Sequence, residues 1–272
     1  SSLTLDEKIG QLFMVMAFSE QGNEHFDAVS KNITENKIGG VIFSLGGPLG
    51  QTDWLNRFQK KSKIPLLIGM DAEWGVAMRL DSVQAFPWNM TLGAIQDDKL
   101  VQAVGYRIGE QAKRLGIHIN FAPSVDINTN PKNPIIGNRS FGEDKENVAR
   151  KGIAYMNGMH EAGVLSSAKH FPGHGDTATD SHLGLPSINF SSERIDEVEL
   201  YPFKKIINAG VSSVMVAHLD IPALDAGIPS SLSQKTVQVL LQDSLKFKGL
   251  VITDALNMKG ASGISPKYGI DV

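Results

Sequence analysis

The sequence predicts an α/β fold, and within that class a (β/α)8 barrel of the TIM type. Three observations predict it. Short apolar runs alternate with helix-compatible segments along the whole of the 272 residues, as in a parallel sheet covered by helices. The runs are continuous rather than alternating, which is the pattern of strands buried on both faces. Five of the seven runs end in polar or titratable residues, and strand ends are where such a barrel carries its chemistry.

Residues 3–11 predict a short helix: Thr4 is the N-cap, Glu7 stands three residues on, and Leu5 and Ile9 form an apolar pair. Residues 12–16 are the first strand, and a polar helical segment covers 23–36. The second strand, 41–43, lies between glycine pairs, and a helix over 52–61 leads to the third strand within 64–73. After a loop with Pro87 and Trp88, residues 98–115 are helical, with Val101, Val104, Ile108 and Leu115 near one face. Residues 116–128 carry the fourth strand, ending near Asp126, and a loop rich in Asn and Pro follows. A helix over 146–162 stops at Gly163, and residues 164–170 are the fifth strand. Then come a helix over 192–209 ended by Gly210, a strand over 211–218, a helix over 233–245 and a strand over 249–254.

A doubly wound sheet would need a Gly-rich phosphate turn after an early strand; Gly39-Gly40 precedes the second strand, and Gly46-Gly47 lacks the fingerprint spacing. After Asp254 only eighteen residues remain, without a convincing eighth strand or closing helix. The chain therefore reads as a single barrel domain over 1–272, and two readings stand: it is the N-terminal domain or a fragment of a longer protein, with the last βα unit and a further C-terminal domain outside it, or the barrel is open or closed in an unusual way.

Hydrophobic residues make up 42% and charged residues 20%, with a net charge of -3 and no basic or acidic run. This composition points to no nucleic-acid partner. No apolar run has the length of a membrane span. There is no cysteine, so disulfides and thiolate metal sites are excluded. The first residues have neither the basic start nor the apolar stretch of a signal peptide. Cytoplasm and periplasm or cell envelope both stay open, because a signal removed earlier would leave no trace.

The strand ends carry Asp71 and Glu73, Asp126, Lys169 and His170, His218, and Asp254. Asp254 directly follows a buried run, which suits a nucleophile fixed by its backbone; the plainer reading is a cap for a helix opening at 256–258. Residues 169–182, KHFPGHGDTATDSH, concentrate three of the seven histidines in a loop. Asp180 and His182, two apart, face the same side of an extended segment, and such a pair makes a general acid or base. A metal site on His170, His174, Asp176 and His182 is the rival, weakened because the first two lie across Pro172 and Gly173 rather than on a helix. His174, between two glycines, reads as a brace for the loop. His25, His118 and His160 read as structural or surface residues; Arg139, and similarly Arg79 and Lys169, are candidates to clamp a hydroxyl or carboxylate, each alone being on the plainer reading an ordinary salt-bridge residue.

These residues resemble glycoside hydrolase family 3, in its β-N-acetylglucosaminidase (NagZ-like) branch. KHFPGHGDTATDSHLGLP matches the loop signature of the family, and IGMDAEWGVAMRL, FAPSVDIN, GNRSFGED and VITDALNM match its other segments in family order. The resemblance implies Asp254 as nucleophile and His182 as acid/base with Asp180 as its partner. It implies that Asp71, Arg79, Arg139, Lys169 and His170 hold hydroxyls of the terminal sugar, and that no metal or organic cofactor is needed. The sequence departs from the family where Glu73-Trp74-Gly75 stands for Glu-Gly-Gly and Val76 for an arginine. The expected activity is removal of non-reducing terminal β-linked N-acetylglucosamine from cell-wall muropeptides or related glycans through a covalent glycosyl-enzyme. A phosphorylase of the same fold is one alternative, since a neutral histidine does not repel an anionic acceptor. A non-catalytic sugar-binding domain and a metal-dependent hydrolase are the others.

Overall fold

A computed structural model of the chain describes residues 3–177 and 184–262. In order, its elements begin α1 (Leu5–Gly10), β1 (Met14–Ala17), α2 (Asn23–Thr34), β2 (Gly40–Phe43), α3 (Pro48–Lys61) and β3 (Leu67–Met70). There follow α4 (Asn89–Gly93), α5 (Asp98–Arg114), β4 (Ile119–Asn120), α6 (Lys145–Ala162) and β5 (Leu165–Phe171). The rest are α7 (Ser192–Arg194), α8 (Leu200–Asn208), β6 (Ser213–Val216), α9 (Pro222–Asp225), β7 (Leu250–Thr253) and α10 (Lys259–Ser262). The chain divides into two compact units, residues 1–86, 106–121 and 159–165 in one and 87–105, 122–158 and 166–272 in the other.

In the first unit β1, β2, β3 and β4 pair in that order, all parallel. α1 starts as its sequence predicts. Thr4 Oγ1 accepts the Glu7 N–H at 3.2 Å, and Glu7 Oε2 accepts the Thr4 N–H at 3.0 Å, so two of the orphan donors of the first turn are satisfied. Helix α3 has Pro48 in its first turn, where the missing N–H costs nothing. Phe26, Val29 and Ile33 line one face of α2 and pack with Trp54 and Phe58 of α3 over Val41, Phe43 and Ile68. The Phe26 and Phe58 rings stack at 4.8 Å between centroids. Each such buried ring contributes about 1.5–3 kcal/mol through its apolar area, which is what fixes the sheet under the helices.

In the second unit β5, β6 and β7 pair in that order, again parallel. α8 turns Leu200, Phe203 and Ile206 inward, and Phe203 meets Phe171 of β5 edge-on at 5.2 Å. Gly175 lets the loop after β5 approach the chain closely: a Cβ there would lie 1.7 Å from the Ile127 carbonyl oxygen.

Several elements differ from expectation, among them the helix expected over 233–245, which is a π-helix at Lys235–Ser244. The first strand begins at Met14 rather than at residue 12, and Leu12 is left 82% exposed. The fourth strand is two residues long, although residues 119–127 are all buried. Pro123 has no N–H for a ladder; backbone bonds to β5 stand on both sides of it, Ser167 N donating to Ala122 O at 2.9 Å and Val125 N to Lys169 O at 2.8 Å, with a lone bridge at Ser124. The helix over 192–208 widens to a π turn at Ile195–Glu199, immediately before Pro202, which removes an N–H that a regular helix would use. Among the described residues no helix is long and apolar enough to cross a membrane.

Candidate active site

Asp71 follows β3 in the first unit and pairs with Arg79, Oδ2 to Nη2 at 2.7 Å. Both side chains are part-exposed, at 22% and 27%, and Arg79 Nε has no hydrogen-bond partner among the described residues. A guanidinium anchored through one nitrogen keeps other donors for a ligand hydroxyl. Glu73, two residues on, is fully buried.

In the second unit His170 and His174 gather around Asp126, with Arg139 beside His170. The fourth strand segment delivers this carboxylate to the end of β5, where it is 1% exposed. Oδ1 accepts the His174 N–H at 2.7 Å, and Oδ2 lies 2.7 Å from His170 Nδ1 and accepts from Ser124 Oγ at 2.9 Å. The His170 N–H also points at it, 3.1 Å from Oδ2. Burial pushes this carboxyl up, but the neighbouring His170 ring with its hydrogen bond, and then His174 with its N–H, outweigh burial and hold it well below the usual carboxylate range.

Arg139 lies 3.2 Å from His170 through Nη2 and Nε2. A guanidinium only donates, so the hydrogen bond requires Nε2 to accept and places the His170 proton on Nδ1, toward Asp126. The result is a relay from Arg139 through His170 to a fixed anion. Arg139 itself is set by Asn89, whose Nδ2 donates to the Arg139 carbonyl at 2.7 Å. Lys169, the neighbour of His170 on β5, is 2% exposed.

The loop after β5 is tied down as far as it is described. Asn133 Nδ2 donates to His174 O at 2.8 Å, Thr177 Oγ1 lies 2.6 Å from His174 Nδ1, and Thr129 Oγ1 donates to Asp176 Oδ1 at 3.2 Å. Burial, joined by the nearby His170, pushes His174 down to about 4, so its ring is neutral near pH 7. His174 is thus the brace expected of it. The His170 and His174 rings meet edge to face at 5.8 Å, and among the described residues no group of His, Asp and Glu is placed to hold a metal ion. Asp180 and His182 lie outside the described residues.

Asp254 stands one residue past β7 and is part-exposed. Its N–H donates to Val216 O at 2.9 Å, which extends the β6–β7 ladder by one rung. Its Oδ1 accepts the Ala255 N–H at 2.8 Å, and the next helix, α10, starts only at Lys259. The carboxylate therefore does not cap a helix at 256–258. His118 and His25 are structural: His118 Nδ1 accepts the Ile68 N–H at 3.0 Å, and His25 Nε2 accepts the Phe18 N–H at 3.1 Å.

The profile of the Glycosyl hydrolase family 3 N terminal domain matches residues 4–267. The chain belongs to glycosyl hydrolase family 3. Among family relatives, it is 41% identical over 221 residues to a Beta-hexosaminidase A of Pseudoalteromonas piscicida, covering 75% of this chain and 37% of that protein. It is 32% identical over 251 residues to a Beta-hexosaminidase of Thiobacillus denitrificans, covering 89% and 69%. Among solved structures, a glycoside hydrolase family 3 beta-N-acetylglucosaminidase from Paenibacillus sp. str. FPU-7 is 41% identical, with a TM-score of 0.90 over 96% of this chain and 51% of that one. A Beta-glucoside phosphorylase BglX is 29% identical, with a TM-score of 0.92 over 98% of this chain and 49% of that one. The chain thus spans between about a third and a half of the length of several proteins it resembles. The α/β, TIM-barrel class read from the strand–helix alternation is the fold of this family 3 domain.

Sequence reasoning placed Asp126 at a strand end without giving it a part. Its signal was an acid directly after the buried run Phe121–Val125, a place where a carboxylate stays only if donors surround it. Ser124, Asn133 and Thr177 had no signal of their own, since short polar residues in loops are ordinary.

Proposed function

We propose that this chain is the catalytic domain of a retaining exo-β-N-acetylglucosaminidase, acting on non-reducing terminal N-acetylglucosamine of cell-wall muropeptides or related glycans. The observation that carries the reading is Asp254 itself: a part-exposed carboxylate at a strand tip, pinned through its N–H and Oδ1, in a chain of family 3. A held carboxylate needs little reorganisation to attack.

In this reading Asp254 Oδ2 attacks the anomeric carbon as the glycosidic C–O bond breaks, and His182, as imidazolium, gives its proton to the leaving oxygen. The neutral His182 then takes a proton from water, whose oxygen attacks the anomeric carbon and releases Asp254 and the sugar. Asp180 keeps the His182 ring oriented. Lys169, His170 and Arg139 hold the sugar hydroxyls, with His170 fixed by Asp126. The names of the relatives support N-acetylhexosamine as the sugar. No cofactor enters the scheme.

Turnover of an aryl β-N-acetylglucosaminide by wild type, Asp254→Ala and His182→Ala tests this. Asp254→Ala should lose hydrolysis by several orders of magnitude while staying folded, and His182→Ala should recover only with leaving groups of low pKa. Full hydrolysis by folded Asp254→Ala would sink the mechanism. The likeness to a phosphorylase favours a second reading, in which phosphate replaces water. Appearance of N-acetylglucosamine 1-phosphate in phosphate buffer would select it.

A further inference from the structure

We infer that His218 is a positioning residue that locks the carboxylate of Asp254; this rests on Asp254 being the nucleophile. His218 follows β6 and is fully buried. A buried histidine is most often a satisfied core residue, and this one is satisfied, but through the peptide next to Asp254. Its Nε2 lies 3.0 Å from Ala255 O. A carbonyl only accepts, so Nε2 carries the proton. Nδ1 then accepts from Ser231 Oγ, 2.6 Å away.

The consequence for Asp254 follows from the covalent geometry. The Ala255 residue is held at both ends, its N–H on Asp254 Oδ1 at 2.8 Å and its C=O on His218. Turning the Asp254 side chain away would strip the Ala255 N–H of its acceptor. Turning the chain at Ala255 would strip the His218 N–H, which is buried and costly to leave unmet. The last backbone bond of the β6–β7 ladder, Asp254 N to Val216 O, fixes the Cα side of the carboxylate. Thus one oxygen is committed to the backbone, and Oδ2, which has no hydrogen-bond partner among the described residues, is the one presented for attack.

The support for His218 is itself rigid. Ser230 Oγ donates to Ala217 O at 2.7 Å and accepts the Leu219 N–H at 3.2 Å, so adjacent serines clamp both the backbone around His218 and its ring. Burial pushes the ring below the ordinary imidazole value, which keeps it an uncharged donor beside the carboxylate.

The experiment uses His218→Ala, His218→Gln and Ser231→Ala. It reads the pre-steady-state rate of aglycone release from dinitrophenyl β-N-acetylglucosaminide, and the affinity for N-acetylglucosamine by calorimetry. His218→Ala should slow aglycone release roughly ten- to a hundred-fold, the scale of one lost orienting bond, with affinity changed less than about three-fold. His218→Gln, whose amide nitrogen reaches the Ala255 carbonyl, should return most of the rate. Ser231→Ala, the milder change, should slow release about three- to ten-fold, so the inference stays testable should His218→Ala not fold. Unchanged release in folded His218→Ala or in Ser231→Ala overturns the inference. So does a loss of affinity matching the loss of rate, or a glutamine variant no better than alanine. Asp254→Ala with added azide separates the two layers. An α-glycosyl azide supports the nucleophile on which the inference rests, and undiminished hydrolysis without azide removes that nucleophile and the positioning with it.

Discussion

Acid titration of His174 is a direct readout of the Asp126 cluster. The residue is 1% exposed, with its backbone N–H on Asp126 and its ring Nδ1 against Thr177. An ordinary imidazole takes its proton near 6.5, and burial with the adjacent His170 moves this one down to about 4. Between those values the unfolded chain binds a proton that the folded chain refuses, so stability falls as the pH falls. The contribution is fully present above about 6.5 and is lost by about 4. Each pH unit of the gap is worth about 1.36 kcal/mol, which gives about 3 kcal/mol. That is a large share of the ~5–15 kcal/mol that holds a typical domain. Asp126, held low, adds its own loss only below the ordinary carboxylate value of 3.8, so the two windows separate. Urea unfolding of wild type and His174→Gln at pH 7, 6, 5 and 4 isolates this residue from the other histidines. The advantage of wild type over the variant should shrink by about 3 kcal/mol from pH 7 to pH 4. A difference constant to about 0.5 kcal/mol across that range would refute the reasoning.

Two further outcomes follow from the same unit. Gly175→Ala places a methyl 1.7 Å from the Ile127 carbonyl, and backbone cannot yield as a side chain can; it should cost about 1–3 kcal/mol or more, seen as a lower Tm, and an unchanged Tm would contradict the close approach. Asp126→Ala should cost about 3–5 kcal/mol, because two histidines lose a buried acceptor at once; chemical denaturation at pH 7 measures it, and a loss under 1 kcal/mol would mean the cluster relaxes.

The fold was legible because its signals are local. Each of the seven apolar runs overlaps a strand, and the Thr4–Glu7 box starts its helix where the residues say. The short fourth strand was not legible from hydrophobicity, because burial continues past Asn120 while the regular ladder stops before Pro123. At the candidate site, the sequence named His170, Arg139 and Asp254 by type and motif. It did not reveal that Asp126 organises the first two, nor that His218 reaches Ala255, since both depend on contacts between residues 37 to 44 positions apart. Asp71 and Arg79 pair with each other, which their eight-residue spacing did not announce. Polar contacts of that range carry no periodicity, whereas packing does.

The central claim is that Asp254 becomes covalently bonded to the sugar. Mixing the protein with a slow fluorinated N-acetylglucosaminyl substrate, quenching in acid and sequencing the labelled peptide by mass spectrometry tests it most directly. The account predicts one added glycosyl mass on the peptide holding Asp254, absent from Asp254→Ala. Turnover of the substrate with no adduct, or an adduct on another residue, would contradict it.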